Sequence, residues 1–175
     1  MYINNDDFQR YTVGVLVDNE PGVLSRVSGL FSRRGFNIES LTVGTTMDPQ
    51  VSRITSVVKG TDANIEQLVQ QLYKLICVQK VQVMQPRNSV ERQLLLVKVK
   101  ADVTEREGLM RLVDIFKAKV LDVTRSSMVL QITGENDKIA SMLSLLEDYG
   151  ILELVRTGVV ALERGDGVMS SDIFD

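Results

Sequence analysis

The chain has 175 residues, a formal net charge of −3 and a pI near 5.1. The absence of histidine excludes His-based catalysis and imidazole metal sites, and the single cysteine, Cys77, excludes an intrachain disulfide. Neither half carries the basic excess of a nucleic-acid-binding protein, no apolar stretch is long enough to cross a bilayer, and the start does not resemble a signal peptide. We therefore expect a cytoplasmic protein that binds neither nucleic acid nor membrane.

The first 84 residues show a βαββαβ order of elements. Alternating apolar residues and turn signals predict strands at 11–17, 38–46, 52–60 and 78–84. Apolar residues at helical spacing predict one helix from Val23 and a second over 64–76, with Ile76 on its buried face. Gly35, which follows two arginines, predicts the end of the first helix. Cys77 lies in an apolar stretch and is expected to be buried.

The same order of elements recurs after a short polar linker at 85–91. The predicted elements are a strand at 92–101, a helix at 104–118, a hairpin over 119–134, a helix at 136–150 and a last strand at 151–163, bent near Gly158. Thr104 and Glu107 have the spacing of a capping box at the start of the third helix. The repeat concerns the order of elements, not residue identity.

This pattern predicts an α+β fold of two tandem ferredoxin-like βαββαβ units. We place the domains at 11–84 and 92–165, with an N-terminal extension at 1–10, the linker at 85–91 and a mobile tail at 166–175. Two helices can cover only one face of each four-stranded sheet. The other face and the sheet edges then need a partner, so the pattern predicts a homodimer.

The residues give little support for catalysis or RNA binding. The carboxylate pairs lie on helices among lysines and arginines, as on a solvated charged face, and no phosphate-binding glycine loop is present. An RNA-recognition motif has the same order of elements, but it needs exposed aromatic residues on its central strands. Only Tyr11 is available there.

The first strand-to-helix turn, "VDNEPGVL" at 17–24, is the best candidate site. If Pro21 is the first helical residue, the N–H groups of Gly22, Val23 and Leu24 lack helical acceptors and lie at the positive end of the helix dipole, where a carboxylate can bind. The Asn19 side chain can both donate and accept. Such a turn can equally bind nothing but water, and the residues alone leave both interpretations open.

An amino-acid ligand with an apolar side chain would also need an apolar wall. Val23 and Leu24 beside the turn, together with Ile38, are the candidates for it. Asn37, in "RRGFNIESL", has a plainer interpretation as a loop residue after a helix stop.

The segment "VDNEPGVLSRVSGLFSRRGFNIESLTVGTTMDPQVSRIT" (17–55) closely resembles the small regulatory subunit of acetohydroxyacid synthase, also called acetolactate synthase. "ERQLLLVKV" (91–99), "FKAKVLDVT" (116–124) and "RTGVVALERG" (156–165) continue the match in the same order. The resemblance covers about residues 11–165. It implies that the first unit is an ACT domain, a ferredoxin-like fold that senses amino acids.

The resemblance also implies a function and a site. Two ACT units would pair and bind the feedback amino acid, valine or another branched-chain amino acid, between them. The implied site residues are Asn19, Gly22, Val23 and Leu24 from one subunit, with Asn37 and Ile38 from the other.

This chain would be a non-catalytic subunit that activates a separate large catalytic subunit. Thiamine diphosphate, magnesium and FAD would be held by that large subunit, and this chain would bind no cofactor. The alternative is a free-standing amino-acid-sensing ACT protein that regulates another enzyme or transcription.

Overall fold

A computed structural model describes residues 8–169. The chain divides into two compact units, one formed by the residues up to Val90 together with those from Val159 onward, the other by Glu91–Gly158. The predicted extension at 1–10 lies outside the described residues except for 8–10, and the predicted tail at 166–175 is described only as far as Met169. Within residues 8–169, no helix is long and apolar enough to cross a membrane.

The first unit contains a four-stranded antiparallel sheet with two helices. Its elements are β1 (Gln9–Asp18), α1 (Val23–Arg33), β2 (Ile38–Thr45), β3 (Val51–Gly60), α2 (Asp62–Leu72) and β4 (Val78–Met84). The strand order β2-β3-β1-β4 places β1 and β3 in the centre and β2 at an edge. The predicted ferredoxin-like arrangement is confirmed.

The core of the first unit lies between the sheet and the helices. Val13, Val15 and Val17 alternate along β1, and all three are buried in one cluster with residues of both helices. The helix residues of this cluster include Val27, Phe31, Leu68 and Leu72. Burial of each such side chain stabilises the fold by roughly 1.5–3 kcal/mol. Cys77 is buried in the same cluster, as predicted.

The first helix ends as predicted, whereas the second ends earlier. Gly35 has φ 75°, and the bonds from Gly35 N to Ser32 O (3.0 Å) and from Phe36 N to Phe31 O (3.0 Å) form a Schellman motif. The second helix stops at Leu72, four residues before the predicted end. Ile76 therefore lies in the following turn and is fully exposed, so its predicted place on the buried face is wrong.

The second unit repeats this topology. Its elements are β5 (Ser89–Lys100, which begins in the first unit), α3 (Arg106–Phe116), β6 (Lys119–Val123), β7 (Ser127–Gly134), α4 (Asn136–Glu147) and β8 (Ile151–Arg156). The strand order β6-β7-β5-β8 is equivalent to that of the first sheet. Leu95, Val97 and Val99 of β5 pack against Leu109 of α3 and Met142 of α4.

The predicted capping box at the start of α3 is wrong. The helix begins at Arg106, and no side chain among residues 8–169 caps its N terminus. Asp102 instead accepts hydrogen bonds from the backbone N–H groups of Thr104 (2.9 Å) and Glu105 (3.1 Å), and from the Thr104 hydroxyl (2.6 Å). These bonds favour the charged carboxylate and hold the pKa of Asp102 below its usual range.

The predicted last strand is divided into two. After β8 the strand is interrupted at Thr157–Val159, and the chain then forms a short strand, β9 (Val160–Glu163), which pairs with β5. Residues from Val159 onward belong to the first unit, so the compact second unit ends at Gly158 rather than at 165 as drawn from the sequence. The expectation that the helix-free face of the first sheet lies uncovered within one chain is also wrong, because Val159 and Ala161 are buried there with Val57 and Met84.

One ionisable contact gives a pH prediction. The Tyr11 hydroxyl donates a hydrogen bond of 2.6 Å to Asp62 Oδ1. This bond, with a smaller effect of burial and of the Asp62 charge, raises the pKa of Tyr11 to about 12. Because the folded pKa exceeds the unfolded value of about 10, the contribution to stability is complete below about pH 10 and is lost as the pH rises towards 12.

Phenol ionisation can be followed by ultraviolet absorbance as the pH is raised, in wild-type protein and in Tyr11→Phe. We expect the difference between the two titration curves to show one phenol with a midpoint near 12. Asp62→Asn is expected to move this midpoint down, because the neutral amide no longer opposes phenolate formation. A difference curve centred near the ordinary value of about 10 would contradict the contact.

Candidate functional site

The turn between β1 and α1 is a β-turn followed by the helix. Val23 N–H donates to Glu20 O at 3.3 Å across Pro21 and Gly22. Gly22 has φ 83° and ψ −8°, the values of the second central residue of a type II turn. L side chains rarely adopt this backbone, so glycine is required for its φ. The helix begins at Val23, as its apolar spacing predicts, so the condition that Pro21 is the first helical residue is not met.

Three backbone amides remain free at the start of the helix. The first helical bond from the turn runs from Arg26 N to Gly22 O (3.1 Å), and no side chain caps the helix. Within residues 8–169, the N–H groups of Gly22, Leu24 and Ser25 donate to no acceptor. All three residues are exposed, at the positive end of the helix dipole. This is a site suited to a carboxylate or another small anion.

The free amides differ from the predicted set by one residue. Val23 N–H is already used in the turn, and Ser25 N–H takes its place. Ser25 is absent from the predicted set because the free amides were assigned on the condition that Pro21 is the first helical residue, although the apolar spacing itself places the helix start at Val23. The Pro21-Gly22 pair could have indicated this, because proline and glycine favour the two central positions of a type II turn. Such a turn places the helix start after Gly22, at Val23.

Hydrogen bonds of Asn19 hold the β1–α1 turn in place. Asn19 N–H donates to Gln50 O (2.7 Å), and its Nδ2 donates to Pro49 O (2.8 Å). Its Oδ1 accepts a bond from the Ser52 hydroxyl (3.0 Å). Asn19 thus ties the β1–α1 turn to the β2–β3 turn. One Nδ2 hydrogen and part of the Oδ1 acceptor capacity remain for a ligand.

The apolar side chains near the turn face different surroundings. Val23 is only 4% exposed and packs in the core, so it cannot form a ligand wall as predicted. Leu24 is 42% exposed and lies on the outer side of the helix start. A Cβ on Gly22 would meet no atom within 4 Å, so the space above the free amides is open.

Asn37 and Ile38 lie at the opposite end of the sheet. Ile38 pairs with Val58, which pairs in turn with Tyr11 of β1. At about 3.3 Å per strand residue, Asn19 is on the order of 25 Å away along β1. Within one chain the structure therefore does not bring Asn37 and Ile38 together with the turn.

An open depression of about 660 Å³ borders the turn on another side. It is lined by Asp18, Glu20 and Asp48 together with amide side chains. Gln79 Nε2 donates to Asp18 Oδ1 at 2.7 Å. The carboxylates make this surface favourable for a positively charged group such as an ammonium. Among the residues that the structure describes, no group of three His, Cys, Asp or Glu side chains could hold a metal ion.

Two family models match the chain. Residues 13–80 match the model described as the AHAS small subunit-like ACT domain, and residues 92–165 match the model described as the small subunit of acetolactate synthase. The first unit is therefore an ACT domain, and the chain as a whole has the tandem α+β fold predicted from its sequence.

Related proteins match this sequence over nearly the whole chain. The chain is 50% identical over 157 residues to a probable acetolactate synthase small subunit of Archaeoglobus fulgidus, covering 90% of this chain and 98% of the relative. It is 48% identical over 155 residues to an acetolactate synthase small subunit of Mycolicibacterium smegmatis, covering 89% and 91%. The crystal structure of the acetolactate synthase small subunit from Thermotoga maritima superposes with a TM-score of 0.86 at 42% identity, covering 91% of this chain and 99% of that one. The chain belongs to the family of acetolactate synthase small subunits.

Proposed function

We propose that the chain is a non-catalytic regulatory subunit that activates the catalytic subunit of acetohydroxyacid synthase and confers feedback inhibition by valine or another branched-chain amino acid. The three free amides of Gly22, Leu24 and Ser25 carry this proposal. They form an anion site in the ACT domain of a chain that belongs to this family.

The surroundings of the turn support an amino acid as the ligand. The free amides receive its carboxylate. The carboxylates of Asp18 and Glu20 border the same turn and favour its ammonium. The exposed Leu24 side chain offers apolar surface to a branched side chain. Small-ligand sites typically combine a few polar groups, which here would hold the carboxylate and ammonium of the amino acid, with apolar contacts to its side chain.

A second copy of the chain completes the site in this proposal. The strand β2 is at an edge of the sheet, with unpaired backbone groups along one side. Thr45 at the end of β2 pairs with Ser52, whose hydroxyl bonds to Asn19. Antiparallel pairing of two β2 edges places Ile38 of the second copy opposite Thr45, at the same end of the sheet as the turn. Asn37 and Ile38 then close the site from the second copy.

The partner in this proposal is the large catalytic subunit. That subunit holds thiamine diphosphate, magnesium and FAD, and this chain holds none of them. Both work in the cytoplasm. Ligand binding regulates only if the effector prefers one arrangement of the paired ACT domains, because a ligand with equal affinity for both arrangements shifts nothing.

The ligand site is tested by Ser25→Asp. A carboxylate in the first turn of α1 interacts favourably with the helix dipole and should stabilise the chain by about 0.3–1 kcal/mol. The same carboxylate repels an incoming one, and we expect calorimetric affinity for valine, leucine or isoleucine to fall by about tenfold or more. The neutral, similarly sized Ser25→Asn is the matched control and should retain binding. Wild-type protein that binds none of the three amino acids, or equal affinity in Ser25→Asp and Ser25→Asn, would count against the site.

The regulatory role is tested by mixing purified chain with a purified acetohydroxyacid synthase catalytic subunit. We expect the rate of acetolactate formation from pyruvate to rise on mixing and to fall again when valine is added. The isolated chain is expected to form no acetolactate. Binding of a branched-chain amino acid without any effect on the catalytic subunit would favour a free-standing amino-acid sensor instead.

A further inference from the structure

The helix-free face of the first sheet is covered by the C-terminal part of the chain. This face carries Thr12, Leu16 and Val57, and each of these is at least nine-tenths buried although no helix lies over it. The residues that contact this face include Val159, Ala161 and Met169, which follow the end of the second unit at Gly158. The strand β9 within this segment also pairs with β5.

Polar contacts hold this segment along its length. Val159 N–H donates to the Ser40 hydroxyl of β2 at 2.8 Å. The two oxygens of Glu163 accept bonds from Gln82 Nε2 of β4 (2.8 Å) and Asn88 Nδ2 (3.0 Å). Arg164 N–H donates to Asn88 O at 2.8 Å, and its side chain to a neighbouring carbonyl. The segment therefore crosses the sheet from one edge strand to the other.

The apolar contact between residues 159–169 and the first sheet is small, and only one side of the segment takes part in it. Ala161, only 4% exposed, packs with Val57 and Met84, whereas Leu162 is 63% exposed on the outer side. At the far end a Cβ on Gly14 would lie 3.3 Å from Met169 Sδ. The helix-side core is much larger, so the segment is the weaker of the two layers that cover this sheet.

Arg53 shows that the fit is incomplete. Its Nη2 donates to Ala161 O at 2.8 Å, while its buried Nε donates to no acceptor among residues 8–169. A buried donor without a partner costs free energy, and this cost is relieved when water reaches the guanidinium. Arg53 thus holds the segment through one hydrogen bond, while its unpaired Nε lowers the net stability of the docked arrangement.

We propose that residues 159–169 form a strap that docks on the helix-free face of the ACT sheet and is released as a unit while both hydrophobic cores stay folded. This goes beyond the proposed function, because it assigns a moving element that lies away from the ligand turn. The strap is covalently continuous with the second unit at Gly158, so its docking is a two-state contact available for coupling between the units.

The experiment compares Ala161→Lys with Leu162→Lys in the full chain by hydrogen–deuterium exchange. A lysine at Ala161 places a charge in the apolar cluster beside Arg53 and should release the strap, whereas a lysine at Leu162 points outward. We expect amide exchange in 159–164 to rise by about tenfold or more in Ala161→Lys relative to Leu162→Lys. Peptides from α1, α2, α3 and α4 should exchange as in the wild type.

A second variant, Gly14→Val, changes the sheet instead of the segment that covers it. Valine at Gly14 suits a strand, but its Cβ would lie 3.2 Å from Met84 Cε of β4 and 3.3 Å from Met169 Sδ. Gly14→Val is therefore expected to displace both side chains and to speed exchange in residues 165–169. Unchanged exchange in both Ala161→Lys and Gly14→Val would overturn the docked strap. Faster exchange in all four helices together with the strap would overturn its independent release.

Discussion

The left-handed backbone at Gly22 determines how the first strand passes into the first helix. Val23 N–H turns back to Glu20, the helix starts at Val23, and Gly22, Leu24 and Ser25 keep their amides free. Asn19 holds the preceding residues against the β2–β3 turn, so the position of these amides is fixed by the sheet. An L residue at Gly22 would strain this backbone, and the direction of the free N–H groups would change with it.

Features determined by short-range pattern were predictable from the sequence. Alternation along β1 and β3, helical spacing in α1, and Gly35 as a helix stop all correspond to the structure. Each wrong prediction is explained by a competing local interaction. The Pro21-Gly22 turn uses the Val23 amide, the Asp102 carboxylate takes the Thr104 N–H that a Thr104–Glu107 capping box would use, and an early helix end leaves Ile76 in solvent.

Long-range features were harder to predict. The sequence of 151–163 has strand character throughout, and nothing local shows that its last residues pack on the first sheet. The predicted grouping of Asn37 and Ile38 with the turn also cannot be seen within one chain. It stays a prediction that requires a second copy, because these residues lie at the far end of the same sheet.

The covered sheet face changes the argument for self-association. From the element pattern alone, a bare sheet face was the reason to expect a dimer. In the first unit the chain covers that face itself, with Val159 and Ala161. The edges of this sheet are β2 and β4, and Ile38 and Thr45 mark the two ends of β2. In the proposed dimer, pairing at the β2 edge would join the two halves of the proposed ligand site.

The central claim is that the free amides of the β1–α1 turn bind the carboxylate of a branched-chain amino acid. The most direct measurement is an amide NMR titration of the ¹⁵N-labelled chain with valine. We expect the largest shifts at Gly22, Leu24 and Ser25, with smaller shifts at Asn37 and Ile38. Saturable shifts elsewhere, with these amides unmoved, would contradict it.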